Sequence, residues 1–192
     1  MGLKGTKMRK SLGPKPIIYP MPVLIISAYD ENDVPNAMNA AWGTICDTSK
    51  IAIVLSHDHK TVKNIFLKKA FTVSIADKEN VIPADFVGIV SGNNEPDKMK
   101  KTGWSIVKSE SVDAPIIENL PLTLECKYES YDEDTEILIG EIVNISADEK
   151  ILTDGKIDLS KFSPICYDSA NHKYLTLGEV VGNAFSDGKK IK

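Results

Sequence analysis

The chain has 192 residues, 42% of them apolar and 26% charged, the balance of a globular protein long enough for one sizeable core. Its 23 lysines and arginines face 27 acids for a net charge of −4, but residues 1–16 hold five of the cations and no acid. The other 18 cations then stand against all 27 acids, a net of −9, which argues against a general nucleic-acid surface.

No apolar run approaches the roughly 20 residues of a membrane helix. The first residues also lack the apolar core of a signal peptide, so we expect no membrane and a cytoplasmic location. Cys46, Cys126 and Cys166 form no C-x-x-C pair, which fits free thiols in a reducing compartment. We expect a basic arm over 1–16, one domain over 17–186 and a C-terminal tail over 187–192.

After the arm, Pro20 and Pro22 confine the start of a strand over 23–29 to an entry or edge position. The cluster Asp30-Glu-Asn-Asp-Val-Pro35 predicts a turn, and the run 36–45 a hairpin partner. A second turn at 47–50 leads into a buried strand over 51–55, a short β-branched run bounded by Lys50 and Ser56. Asp58 or Thr61 can cap the helix expected over 61–69, whose Val62, Ile65 and Phe66 recur at helical spacing. A strand over 71–76 follows.

The pattern then predicts a helix over 80–90 with Pro83 near its first turn, and a short polar helix over 96–102 stopped by Gly103. Residues 104–112 alternate like a half-buried strand, and 114–120 cross over between prolines. The two cleanest strands are 122–131 and 136–146, joined by an acidic turn at 132–135. Regular signals thin out after residue 148. Short turns between successive strands favour an antiparallel sheet closed into a barrel with helices at its ends, a mainly β fold with inserted helices.

Candidate chemistry gathers where the strand over 51–55 meets the helix. Ser56, His57, Lys60 and Thr61 surround a helix start, where backbone amides and the dipole favour an anion; the same pattern is also that of an ordinary strand–turn–helix. Small residues in Asn39-Ala-Ala-Trp-Gly43 let backbone approach a flat ring, whereas Trp42 by itself reads as core or interface.

His57-x-His59 has metal-like spacing, but His172 is the one other histidine, so we expect no metal. Cys46 and Cys126 read as buried small hydrophobes, and Cys166, near His172, is the one thiol worth testing. No P-loop, G-x-G-x-x-G, nucleophile elbow or H-E-x-x-H is present. Amides and hydroxyls without a catalytic acid or base suit a cofactor that brings its own chemistry, so no catalytic residue is named.

Taken together, several stretches resemble the flavin-reductase-like, flavoredoxin-type family of FMN-binding split-barrel proteins. They are Pro22-Val-Leu-Ile-Ile, Asn36 to Thr44, Ser56-His-Asp-His-Lys-Thr with Asn64-Ile65, Phe71-Thr-Val-Ser-Ile, Ser91-Gly92, Leu124-Glu-Cys126, Gly140-Glu-Ile-Val and Tyr174-x-x-Leu-Gly178. The arm and residues 148–165 lie outside it.

The resemblance implies a homodimeric barrel holding FMN in a groove near the dimer interface. The flavin ring edge would run along Asn39, Ala40, Ala41 and Trp42. Ser56, His57, Lys60 and Thr61 would hold the phosphate with Asn64 in support, and Ser91 and Gly92 would close another side. Ala41 stands where many relatives have serine, and 47–50 replace a proline-containing turn.

The reading this supports is an oxidoreductase in which NADH or NADPH transiently reduces the flavin and a small molecule or protein accepts the electrons. The alternatives are an FMN-holding electron carrier without turnover and a split barrel that has lost the flavin. A weaker reading, an oligonucleotide binder, is opposed by the acidic body and by 7% aromatic content.

Overall fold

The structure is a computed structural model and describes residues 9–191; the first half of the expected basic arm, through residue 8, lies outside the described residues. Its centre is strand β1 (Leu24–Tyr29), buried along its whole length. β1 pairs antiparallel with β2 (Pro35–Ala40) on one side and β5 (Ala70–Ile75) on the other. The turn after β1 is set by Asp30, whose carboxylate accepts the amides of Asn32 (3.0 Å) and Val34 (2.9 Å).

β3 (Gly43–Asp47) and β4 (Lys50–Val54) form the next hairpin. The long pair β8 (Leu122–Asp132) and β9 (Ile137–Ala147) joins the two groups. The resulting seven-stranded sheet has the order β2-β1-β5-β8-β9-β4-β3 and is antiparallel throughout, which is the split β-barrel expected from the sequence.

The expected hairpin partner over 36–45 is two strands rather than one. β2 and β3 stand at opposite ends of the sheet order, yet only Ala41 and Trp42 separate them. That link spans at most about 10 Å, so the sheet must curl until its ends meet. Closure leaves a seam at Ala41–Trp42 in place of a hydrogen-bonded ladder.

One face of β1, β2, β4, β5, β8 and β9 fills the interior with Leu24, Ile26, Met38, Ile53, Phe71, Val73, Leu124 and Leu138, sealed by Val62 and Ile65 of the first helix. Phe71 is fully enclosed, and truncating such a ring to alanine costs about 3–5 kcal/mol. The opposite face of β1 buries Ile25, with Val23 just before the strand, beneath the other helices, as strand alternation requires.

Helix α1 (Lys60–Lys68) starts one residue early and has a different cap from either candidate. His59 occupies the cap position with extended backbone and gives no side-chain hydrogen bond. Thr61, one turn in, points its hydroxyl into the protein instead. Helix α2 (Val81–Ile89) follows a 3-10 turn capped by Asp77. Helix α3 (Lys98–Thr102) ends at Gly103, whose φ of 70° is the left-handed cap that glycine supplies without strain.

Alternation over 104–112 yields only the short β6 (Ile106–Lys108), because Ser109 and residues after it turn back. Its partner β7 (Pro115–Ile117) lies in the segment expected to cross over. Two small hairpins complete the chain: β10 (Leu152–Thr153) with β11 (Lys156–Ile157), and β12 (Ile165–Asp168) with β13 (Lys173–Thr176). The second is tied to the segment before β1, where Tyr19 donates its hydroxyl to Asp168 at 2.5 Å.

Candidate functional site

Two small clefts adjoin where the seam meets the start of α1. One, of about 190 Å3, runs along Met38–Trp42 of β2 and the seam and is walled by Val54, Leu55 and Ser56. The other, of about 170 Å3, lies between Asn36, the α1 start and the loop from Val87 to Gly92. Met38, Asn39 and His59 belong to both, so together they make one elongated site with an apolar strip and a polar end.

The strip exists because the ladder stops at the seam. Trp42 accepts the Val54 amide at 2.8 Å, and the chain then leaves the sheet through Ser56. Asn39 is fixed from outside the strip: its side-chain amide donates to Ala84 O at 3.0 Å. Tyr174, which donates to Asp85 at 2.7 Å, braces the same turn of α2.

The polar end is built for negative charge. Among the described residues the backbone amides of Lys60 and Thr61 have no partner, as expected for the first turn of a helix without a side-chain cap. The Thr61 hydroxyl accepts a 2.6 Å bond from Asn36 Nδ2, which leaves its own proton free to donate. Lys60 Nζ stands 3.3 Å from Asp30. Burial works against the Asp30 carboxylate, but the Val34 and Asn32 amides and Lys60 outweigh it and hold its pKa below the usual range.

Gly92 allows the loop to close. A Cβ there would sit 2.3 Å from Asn36 Oδ1, so a larger residue would displace Asn36 from Thr61. Asn93 pins this loop to the α1 turn by donating to Asp58 O at 3.2 Å.

Lys98 completes the end and is the residue that sequence reasoning missed. It is 3% exposed, and Nζ bonds Val87 O at 2.8 Å. Among the described residues no carboxylate pairs with it, and burial pushes its pKa down to about 8. A buried ammonium beside unpartnered amides is the chemistry of an anion site. In the sequence Lys98 sits in a run of lysines that reads as a solvated face. Asn36 and Met38 were not read as site residues, because the curl of the sheet brings them to the cleft, and His59, weighed only for its metal-like spacing, borders the cleft as the cap of α1.

Of the residues expected at a cofactor site, Asn39, Ala40, Ala41, Trp42 and Ser56 lie along the strip, and Lys60, Thr61, Ser91 and Gly92 lie at the polar end. His57 and Asn64 lie apart. The His57 ring faces a separate hollow with Phe66, Tyr128 and Tyr131, near Asp58 and Glu136. Asn64 is buried one turn into α1, where it donates to Ala28 O.

Burial works against the thiolate at two of the cysteines. Cys126 is buried and pushed up to about 12, and burial also raises Cys166. His172 bonds the Tyr167 hydroxyl at 2.9 Å instead of pairing with Cys166. Cys46, expected to be buried, is exposed on the edge strand β3. Among the described residues no three His, Cys, Asp or Glu side chains cluster as a metal site. No described helix is long and apolar enough to cross a membrane.

The model of a flavin reductase like domain matches residues 18–175. Among solved structures, the flavoredoxin of Desulfovibrio vulgaris (Miyazaki F) is 38% identical with a TM-score of 0.90, covering 94% of this chain and 100% of its own. A flavoredoxin from Methanosarcina acetivorans is 25% identical with a TM-score of 0.85, covering 97% of this chain and 100% of its own. An uncharacterised protein of Aeropyrum pernix is 26% identical over 128 residues, 65% of this chain; the chain spans about half of that relative's length, 49%.

Proposed function

We propose that this chain, which belongs to the flavin reductase like domain family, binds FMN in the joined clefts and works as a nicotinamide-dependent flavin reductase or flavoredoxin-type electron-transfer protein. The observation that carries the reading is the polar end. Lys98 brings a buried, acid-free ammonium to the same small cleft as Thr61, Lys60 and the bare first turn of α1. A phosphate monoester fits that donor set, and the strip along 38–42 offers backbone and small side chains to a flat ring beside it.

When bound, the flavin supplies the reversible electron and hydride acceptance for which this chain has no side chain of its own. The residues bind, orient and exclude water. Lys60, Thr61 and Lys98 hold the phosphate end, Asn36 aims the Thr61 hydroxyl, and Asn39, braced from α2, holds the strip. NADH or NADPH as donor, a small-molecule or protein acceptor, a homodimer with the flavin near its interface and a cytoplasmic location belong to the same proposal.

The test is the visible spectrum of the protein after adding FMN and desalting, followed by NADH and NADPH oxidation. A retained flavin spectrum supports the site, and a colourless protein refutes it. Lys60→Ala with Thr61→Ala should weaken FMN binding by about 100-fold or more while the fold survives. Flavin retained without nicotinamide oxidation would favour the second reading, an electron carrier. That reading has its own support in the 38% identity to a protein described as a flavoredoxin.

A further inference from the structure

The hollow that His57 faces, of about 690 Å3, lies between α1 and the tip of the β8–β9 hairpin. None of its lining residues is shared with the two clefts of the flavin site. Three half-buried rings form its wall. Phe66 packs edge-on with Tyr131 and with Tyr128, at 5.0 Å and 5.8 Å between ring centres. Tyr131 is fixed by donating its hydroxyl to Leu55 O at 2.9 Å.

The charges around this wall are sorted by side. α1 supplies Lys63 and, at its left-handed end, Lys69, whose Nζ lies 4.2 Å from the centre of the Tyr128 ring. The hairpin tip supplies Glu133 and Asp134. Among the described residues neither lysine pairs with an acid, and neither acid pairs with a cation. Opposite charges therefore face one another across the hollow without closing over it. His57 stands 3.4 Å from Asp58 and 3.9 Å from Glu136, so those two acids are turned to the imidazole.

We propose that this hollow is a second ligand site, separate from the flavin, that takes a purine nucleoside 5′-phosphate. The occupant must offer a flat ring, hydroxyl donors and an anion, and a ribonucleotide carries all three. The base lies on Phe66 and Tyr131, since Lys69 already covers Tyr128. The ribose hydroxyls donate to Glu133 and Asp134, as a carboxylate does to ribose in dinucleotide sites. The phosphates meet Lys63 and Lys69. A free aromatic amino acid would satisfy the same charges but fill a small part of the volume. Leu55 and Ser56 wall the flavin strip, so one peptide links the two sites through Tyr131.

The test is calorimetric titration of the full chain with ADP, before and after saturation with FMN. Wild type should bind ADP with a Kd of about 10–100 μM in both states. Lys63→Ala with Lys69→Ala should weaken this by about tenfold or more. Glu133→Gln with Asp134→Asn should abolish the preference of wild type for ADP over its dideoxy analogue, which a mere change of surface charge would not do. All four positions are exposed, so the fold is not at stake, and FMN affinity should stay at the wild-type value. No binding of ADP at about 1 mM, binding that survives the lysine changes, or displacement of ADP by FMN would each overturn the proposal. NADH that displaces ADP identifies the adenosine half of a nicotinamide dinucleotide as the occupant, and NADH without effect identifies a free nucleotide; both support the site. Because the flavin-free chain is titrated as well, failure of the flavin reading leaves this test intact.

Discussion

Replacing Lys98 with methionine should make the apoprotein more stable and the flavin complex weaker. The ammonium is held in a site that burial disfavours, and its pKa falls from 10.5 to about 8. At 1.36 kcal/mol per pH unit that drop corresponds to about 3 kcal/mol of destabilisation at neutral pH. Methionine keeps the length without the charge but leaves Val87 O without its donor, a loss of about 1 kcal/mol. The net gain is about 2 kcal/mol, or roughly 4–8 °C in Tm for a chain of this size.

The pH dependence has a definite sign. The folded apoprotein sheds this proton near pH 8 and the unfolded chain near 10.5, so the unfolded state binds more protons between them. Wild-type apoprotein therefore recovers stability as pH rises from 8 to 10.5, a gain that Lys98→Met lacks.

Affinity moves the other way. A hydrogen bond from a charged donor contributes about 1.5–3 kcal/mol, so FMN should bind the variant about 10–150-fold more weakly at pH 7. Wild-type affinity should also fall by up to about tenfold per pH unit above 8, while the variant stays flat. Thermal melts of apoprotein at pH 7 and 9.5, with flavin fluorescence titrations at both, read all of this. An apoprotein no more stable than wild type, or an unchanged FMN Kd, would refute the assignment of Lys98 as a desolvated anion ligand.

Gly92→Ala should push Asn36 off Thr61, because the added methyl meets Asn36 Oδ1 at 2.3 Å; FMN affinity should drop by about tenfold while circular dichroism is unchanged. Gly140→Ala places a Cβ 2.4 Å from the fully enclosed Phe71 ring and should cost about 1–3 kcal/mol in denaturant unfolding. Tyr174→Phe removes the bond to Asp85 and should lower stability by about 1 kcal/mol. Burial, with Asp85 beside the phenol, raises the Tyr174 pKa, so the wild-type contribution is complete below pH 10 and fades at higher pH.

Much of this was written in local sequence. The short apolar runs at 24–29 and 51–54 form strands because their side chains fit a pleated, buried surface, and 122–132 does so through the buried half from Thr123 to Cys126. Gly103 stopped α3 where a left-handed residue was needed. The α1 start, with Lys60 and Thr61 after a strand end, was legible as a candidate anion site because that candidate depends on contiguous residues. The direction of single side chains was not: His57 is in the same turn yet faces the Phe66–Tyr131 hollow, and Asn64 points into the core.

What tertiary structure alone decided is the closure of the sheet and everything that depends on it. Nothing local marks Ala41–Trp42 as a seam, since the segment 36–45 reads as one strand; the break appears because its two halves belong to opposite edges of a curled sheet. That curl carries Asn36 to Thr61, and α3 packing carries Lys98 out of a solvated-looking lysine run to the same small cleft. Periodicity reports which residues are buried within an element. Which buried or half-buried groups converge from residues 36, 61, 92 and 98 depends on chain closure over distances that no local pattern encodes.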